Sequence, residues 1–212
     1  ANVVGQAGLL ATLLAALAAV TYLRATREPA GARRGALWAG VAALYLLALA
    51  SKEIAVTLPA LLILASVVLV RRDHNGADEP LRAVAARLRD EAPLWVMLAA
   101  VLAAYLALRV DALGGLTGAR AAPSFIARTA PERVYTSMSL WPEYVRLLLF
   151  PLDLEADYGP AVLFPARGID PGVIVGSLLL AALLAVGVAA LARRPVVTLR
   201  IGWLLISLLP VS

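Results

Sequence analysis

LLALASKEIAVTLPALL, residues 46–62, sets Lys52 and Glu53 side by side inside an apolar run that extends from Ala36 to Val70. Two foldings of that run compete. As one tilted membrane span it would put the Arg33-Arg34 and Arg71-Arg72 pairs on opposite faces, and would hold Lys52 and Glu53 near the midplane at about 2.5–3.5 kcal/mol per charge. As a helical hairpin it returns both arginine pairs to one face and lifts the two charges to an interface. Each arm of the hairpin then measures roughly 25 Å at about 1.5 Å per residue, a little under the hydrocarbon thickness. The hairpin is the expected arrangement.

The rest of the 212 residues agrees with a membrane setting. Apolar residues make up 62% of the chain and the mean hydropathy is +0.85, well above soluble domains, and the excess is gathered into runs. Residues 1–23, Ile54–Val70, Ala92–Leu108 and Pro171–Ala192 carry no charge, and a helix needs about 17–25 such residues to cross. With 36–51 and a segment that starts at Ile201, the expected spans are 4–23, 36–51, 54–70, 93–109, 172–192 and 201–212. A long loop, 110–171, joins the fourth to the fifth. The expected fold is an all-α polytopic bundle of about six transmembrane helices plus one interfacial helix. Segment 1–23 lacks a basic start and a small-residue cleavage site, so it is expected to be a true span. A chain that begins at Ala1 and ends in an apolar segment after Pro210 reads as a membrane-domain fragment of a longer protein.

Most of the 19 basic residues sit in short connections: Arg24, Arg27, Arg33 and Arg34, then Arg71, Arg72, Arg82, Arg87 and Arg89, then Arg193, Arg194 and Arg200. These follow spans one, three and five, and the positive-inside rule makes them cytoplasmic. Lys52, Glu53 and the long loop are then extracytoplasmic. The net charge of +5 and the pI of 10.1 fit a lipid surface, not nucleic acid. No cysteine is present, which removes disulfides and thiolate chemistry.

Within the connections, PLRAVAARLRDE (80–91) places Leu81, Val84, Ala85 and Leu88 on one helical face, with Arg82, Arg87, Arg89 and Asp90 elsewhere, as an amphipathic surface helix would. His74 has no partner at metal-ligand spacing and reads as a solvated loop residue. VYTSMSLWPEYVRLLLFPL (134–152) is apolar but broken by Pro142, Glu143, Arg146 and Pro151. It is expected to form an interfacial or re-entrant helix with Trp141, Tyr144 and Phe150 at the headgroups.

Several residues are candidates for chemistry. Lys52 is a point cation suited to a lipid-linked phosphate. Glu53 would pair with it or hold an acceptor hydroxyl, and the alternative is a turn that merely caps the hairpin, with Ser51 as N-cap of the third span. In FPLDLEADYGP (150–160), Asp153, Glu155 and Asp157 alternate, a spacing that suits a divalent cation or a general base and equally suits a solvated turn. Arg109, Arg128, Arg133 and Arg146 offer planar donor forks for phosphate, Arg109 foremost because it closes the fourth span beside Tyr105. Gly5, Gly8 and Gly40 are read as close-approach positions between helices.

NVVGQAGLLATLLAALAAVTYLRA, LALASKEIAVTLPALLILASVVLVRR, YVRLLLFPLDLEADYGP and WLLISLLPVS, in that order, resemble the bacterial relatives of the transmembrane and tetratricopeptide-repeat O-mannosyltransferases. The Ser-Lys-Glu before Ile-Ala-Val-Thr-Leu-Pro and the Leu-Phe-Pro-Leu to Asp-Tyr run are the most specific parts. The resemblance implies a glycosyltransferase of the GT-C fold that moves a mannose-like hexose from a polyprenyl-phosphate carrier to a protein or glycan acceptor by an inverting displacement. It implies a site on the extracytoplasmic side, with Lys52 holding the carrier phosphate. The expected substrate-binding residues are Lys52, Glu53, Arg109, Asp157 and Tyr158, and the abundance of Ala, Leu and Arg suggests a bacterial protein of the cytoplasmic (inner) membrane. The acidic base of that family lies in a loop that would precede residue 1, so catalytic residues stay unassigned here. Glu155 departs from the Leu-Ser-Ala-Asp-Tyr that family members often show. No resident cofactor or metal ligand is assigned, and a divalent cation is left open. The competing functional classes are a transporter or flippase for a lipid-linked sugar, without bond cleavage, and a membrane scaffold with no ligand.

Overall fold

Charge-free runs of alanine and leucine become helices because a helix satisfies every backbone N–H and C=O within its own segment, as a hydrocarbon layer requires. The computed structural model describes residues 3–73, 80–113, 129–150 and 166–208, and among these residues there are helices and turns but no β-strand. The helices are α1 (Val3–Ala25), α2 (Ala32–Ser51), α3 (Leu58–Asp73), α4 (Pro80–Asp90), α5 (Ala92–Leu113), α6 (Ala130–Ser139), α7 (Trp141–Leu149), α8 (Pro171–Arg193) and α9 (Pro195–Leu208), with a 3-10 turn at Glu53–Thr57 leading into α3. Five stretches are long and apolar enough to cross a membrane: Gln6–Ala25, Ala32–Ser51, Glu53–Arg71, Ala92–Ala112 and Pro171–Leu191. The sixth expected span starts inside α9, which is 14 residues long, and residues 209–212 lie outside the described chain.

One compact unit comprises Ala1–Ala112 and Ala190–Val211. Its core is built where α1 and α2 pack side by side, with Tyr22, Val41, Tyr45, Leu49, Leu58, Leu62, Leu94 and Leu98 all buried. Lipid chains are as apolar as leucine, so such helices associate through close packing and polar contacts, with little gain from removing water. Small residues supply that closeness: a Cβ on Gly40 would stand 3.7 Å from Thr21 Cγ2, and a Cβ on Gly202 of α9 would press into the Leu64 side chain of α3. The outward faces stay apolar, as Leu9 and Leu13 on α1 show. Gly31, just before α2, has φ 157° and ψ −177°, backbone angles that side chains beyond glycine rarely adopt.

The second unit comprises Leu113–Ala189. The stretch expected as one interfacial helix is two short helices, α6 and α7, that meet at Leu140. The break has a cause in Pro142, which lacks the N–H that a continuous helix would donate to the Met138 carbonyl. α6 starts with a capping box, in which the Thr129 backbone N–H donates to Glu132 Oε2 at 2.9 Å, and α8 starts where Val173 N–H donates to Asp170 Oδ1 at 2.8 Å. Trp141 is buried and meets Tyr144 edge-on, ring centroids 6.1 Å apart, so it is a packing residue of this unit; Phe150 is exposed.

Candidate functional site at the Lys52 turn

The turn between α2 and α3 separates the two charges that the sequence sets together. Lys52 has an extended backbone, φ −161° and ψ 140°, between the end of α2 and the 3-10 turn. Consecutive side chains on an extended backbone point to opposite sides. Lys52 accordingly runs toward α1, where its Nζ would lie 3.5 Å from a Cβ built on Gly8. Glu53 runs toward α5, where its Oε2 lies 3.8 Å from Arg109 Nη1. The same Arg109 nitrogen donates to the Tyr105 hydroxyl at 3.0 Å. Among the described residues no carboxylate stands within 4.0 Å of the Lys52 ammonium, so Glu53 is not its counter-ion. Ser51 is not an N-cap either: it closes α2, and its Oγ donates to Leu47 O at 2.8 Å.

Near Lys52 lies an apolar groove of about 270 Å³, walled by Ala11, Thr12 and Ala15 of α1, Ile54, Ala55 and Thr57 of the turn, Leu58 and Leu61 of α3, and Trp203, Leu204, Ser207 and Leu208 of α9. Gly8 stands one helical turn before Ala11 and Thr12 on the same face of α1, and Lys52 precedes Ile54 by two residues. The ammonium is not itself a wall of the groove; it meets α1 at Gly8, one helical turn from the groove's first wall residues. The absence of a side chain at Gly8 gives it room. Such a site can take an amphiphile with an anionic head and an apolar tail.

Of the other candidates, Arg109 is in this site, paired with Glu53 and Tyr105. Arg146 pairs within α7 with Glu143, Nε to Oε2 at 2.9 Å, and holds that carboxyl below the usual glutamate range. Asp153, Glu155, Asp157, Tyr158, Arg128 and His74 lie outside the described residues. Among the described residues no cluster of three or more His, Cys, Asp or Glu is placed to hold a metal ion.

A second polar cluster lies at the other end of the α1–α2 pair, and it was not among the candidates. Glu91, in the elbow between α4 and α5, is 5% exposed. It accepts from the Tyr22 hydroxyl at 3.1 and 3.0 Å and from Ser66 Oγ at 3.2 Å, and faces Arg87 Nε at 3.2 Å. Arg87 Nε also donates to Ser66 Oγ at 3.1 Å. Next to it Arg34 grips Asp90 with both terminal nitrogens, at 2.9 and 3.0 Å, while its guanidinium lies 4.7 Å from the Trp38 ring centre. Burial pushes the Glu91 carboxyl above the ordinary glutamate value, and Arg87, Tyr22 and Ser66 offset only part of that. The cluster encloses a cavity of about 70 Å³. It works as a clasp that ties the α4–α5 elbow to α1, α2 and α3. A signal for it existed in the sequence: Tyr22, Ser66 and Glu91 are polar interruptions in or beside apolar spans, all near the end that carries the arginines.

The fold thus defines the class: the described residues are helical, and five helices among them are long and apolar enough to cross a membrane. No family model, no curated protein and no solved structure matches the chain.

Proposed function

We propose that the chain is the membrane portion of a GT-C-type glycosyltransferase that transfers a mannose-like hexose from a polyprenyl phosphate to a protein or glycan acceptor. The observation that carries this reading is the Lys52 ammonium, which among the described residues has no carboxylate within 4.0 Å and meets α1 at Gly8, one helical turn from the apolar groove along α1, α3 and α9. The arginine distribution supports placing Lys52 on the extracytoplasmic side of the inner membrane. In the reaction, an acceptor hydroxyl attacks the anomeric carbon from the face opposite the carrier. The bond from that carbon to the phosphate oxygen breaks, its electron pair stays on the phosphate, and the hydroxyl proton goes to a base. Lys52 stabilises the charge that builds on the departing phosphate, and the groove takes the first part of the prenyl chain. A cation placed where charge develops acts most strongly when water is scarce around it.

The test is sugar transfer by the full-length protein in lipid nanodiscs, using a polyprenyl-phosphate mannose donor. Lys52→Ala is expected to cut turnover about 100-fold, the scale for losing one oxyanion-stabilising donor, with no change in thermal midpoint. Lys52→Arg should fall in between, since a planar fork replaces a point charge. Full activity in a folded Lys52→Ala protein sinks the reading. In proteoliposomes of the same protein, donor that crosses the bilayer intact, with no transfer, identifies a flippase.

A further inference from the structure

We propose that Arg109 is a positioning residue that draws Glu53 away from Lys52 and so keeps the lysine charge open to the phosphate of a prenyl-phosphate ligand. The inference takes Lys52 as the phosphate anchor and extends that reading to the groups that set its charge. A lysine followed directly by a glutamate has a built-in competitor, because the two Cα atoms are about 3.8 Å apart and both side chains are long. Glu53 is largely exposed, its side chain at 63%, so packing does not restrain it. Two features hold the carboxylate off: the extended backbone at Lys52, which starts the side chains in opposite directions, and Arg109, 3.8 Å from Glu53 Oε2. Arg109 is itself braced one turn back on α5 by Tyr105 at 3.0 Å. The guanidinium therefore holds the glutamate, and among the described residues the Lys52 ammonium, which meets α1 at Gly8, has no carboxylate within 4.0 Å.

Binding of undecaprenyl phosphate to the full-length protein, read by native mass spectrometry, tests this with five proteins: wild type, Lys52→Gln, Arg109→Gln, Glu53→Gln and the Arg109→Gln/Glu53→Gln double variant. Lys52→Gln is expected to lose binding; if it binds as the wild type does, the anchor reading itself fails. With that loss in hand, Arg109→Gln is expected to weaken binding about fivefold, the scale of a partly exposed ion pair now formed between Glu53 and Lys52. Removing the competitor as well should restore wild-type affinity in the double variant, and Glu53→Gln alone should bind at least as tightly as wild type. A merely structural role for Arg109 would not be rescued by Glu53→Gln. Unchanged binding in Arg109→Gln overturns the inference, and so does a double variant that stays weak, which would put Arg109 on the phosphate. If Arg109→Gln does not fold, Glu53→Gln decides: weaker binding than wild type means that the glutamate helps hold the ligand and is no competitor.

Discussion

Glu91→Ala is expected to lower the stability of the purified protein by about 3–5 kcal/mol, the cost of leaving a buried charge without its partner. The residue left behind is Arg87, whose side chain is only 21% exposed and whose remaining contact there is the Ser66 hydroxyl. The Tyr22 hydroxyl loses its acceptor at the same time. Glu91→Gln keeps the shape and one acceptor and should lose less. Burial raises the Glu91 carboxyl while Arg87 offsets part of that, and a buried ion pair commonly adds little net stability, because desolvation cancels the attraction. Replacing both ends, Arg87→Met with Glu91→Leu, should therefore recover most of what Glu91→Ala loses. The pH dependence has a definite sign. A carboxyl whose folded value lies above the ordinary 4.5 binds its proton more tightly in the folded state. Stability should then fall as the pH rises from about 4.5 through the folded value and level off beyond it. Arg87, Tyr22, Ser66 and Asp90 are the groups that face this carboxyl. Thermal midpoints in detergent between pH 4.5 and 8 check this: the wild type should show the decline, Glu91→Gln should not, and equal slopes would remove Glu91 as the cause.

This clasp marks a limit of what the chain declares about itself. Charge-free runs declare helices, and the paired arginines around Ala36–Val70 declare a hairpin, because length and charge cost act locally. Three-dimensional partners are not declared in that way. Glu91 meets Tyr22 and Ser66, residues 69 and 25 positions away, and no periodicity links them. In 80–91 the helical pattern is legible, but polarity alone places Arg87 on the outside. In the structure Val84, Arg87 and Leu88 are partly buried and Glu91 is buried, while Arg82, Ala85, Ala86 and Arg89 form the exposed stripe. A guanidinium with buried partners can share a face with valine and leucine, which a two-letter polarity pattern cannot express. At the Lys52 turn the residues were legible but their pairing was not. It depends on one extended backbone residue, which sends the adjacent glutamate to an arginine 56 positions further along.

Gly176→Ala on α8 should destabilise the second unit although it improves the helix. In an unpacked helix interior the change would gain about 0.5–1 kcal/mol, since alanine has less backbone freedom to lose than glycine. At this site the added Cβ runs into the Met138 carbonyl oxygen and comes within 3.3 Å of Pro142 Cδ. The obstacle is backbone, so rotation of a side chain cannot relieve it, and α8 must move off α6. Pro142 offers the Met138 carbonyl no N–H, and where α6 ends that carbonyl accepts from the Leu140 N–H instead. Gly172, one turn earlier, stands against Ser139 with a Cβ-to-Cβ distance of 3.4 Å, so the two glycines form a small-residue stripe that lets the helices touch. Overpacking typically costs about 1–3 kcal/mol and more when the clash is with backbone, so packing outweighs propensity, and Gly176→Val should be worse than Gly176→Ala. Gly35→Ala in α2 is the matched control, because a Cβ there meets nothing within 4 Å, and it should be neutral or slightly stabilising. Thermal midpoints of the three variants separate the two effects: a Gly176→Ala protein as stable as Gly35→Ala would mean that α8 does not approach Met138 as closely as this packing requires.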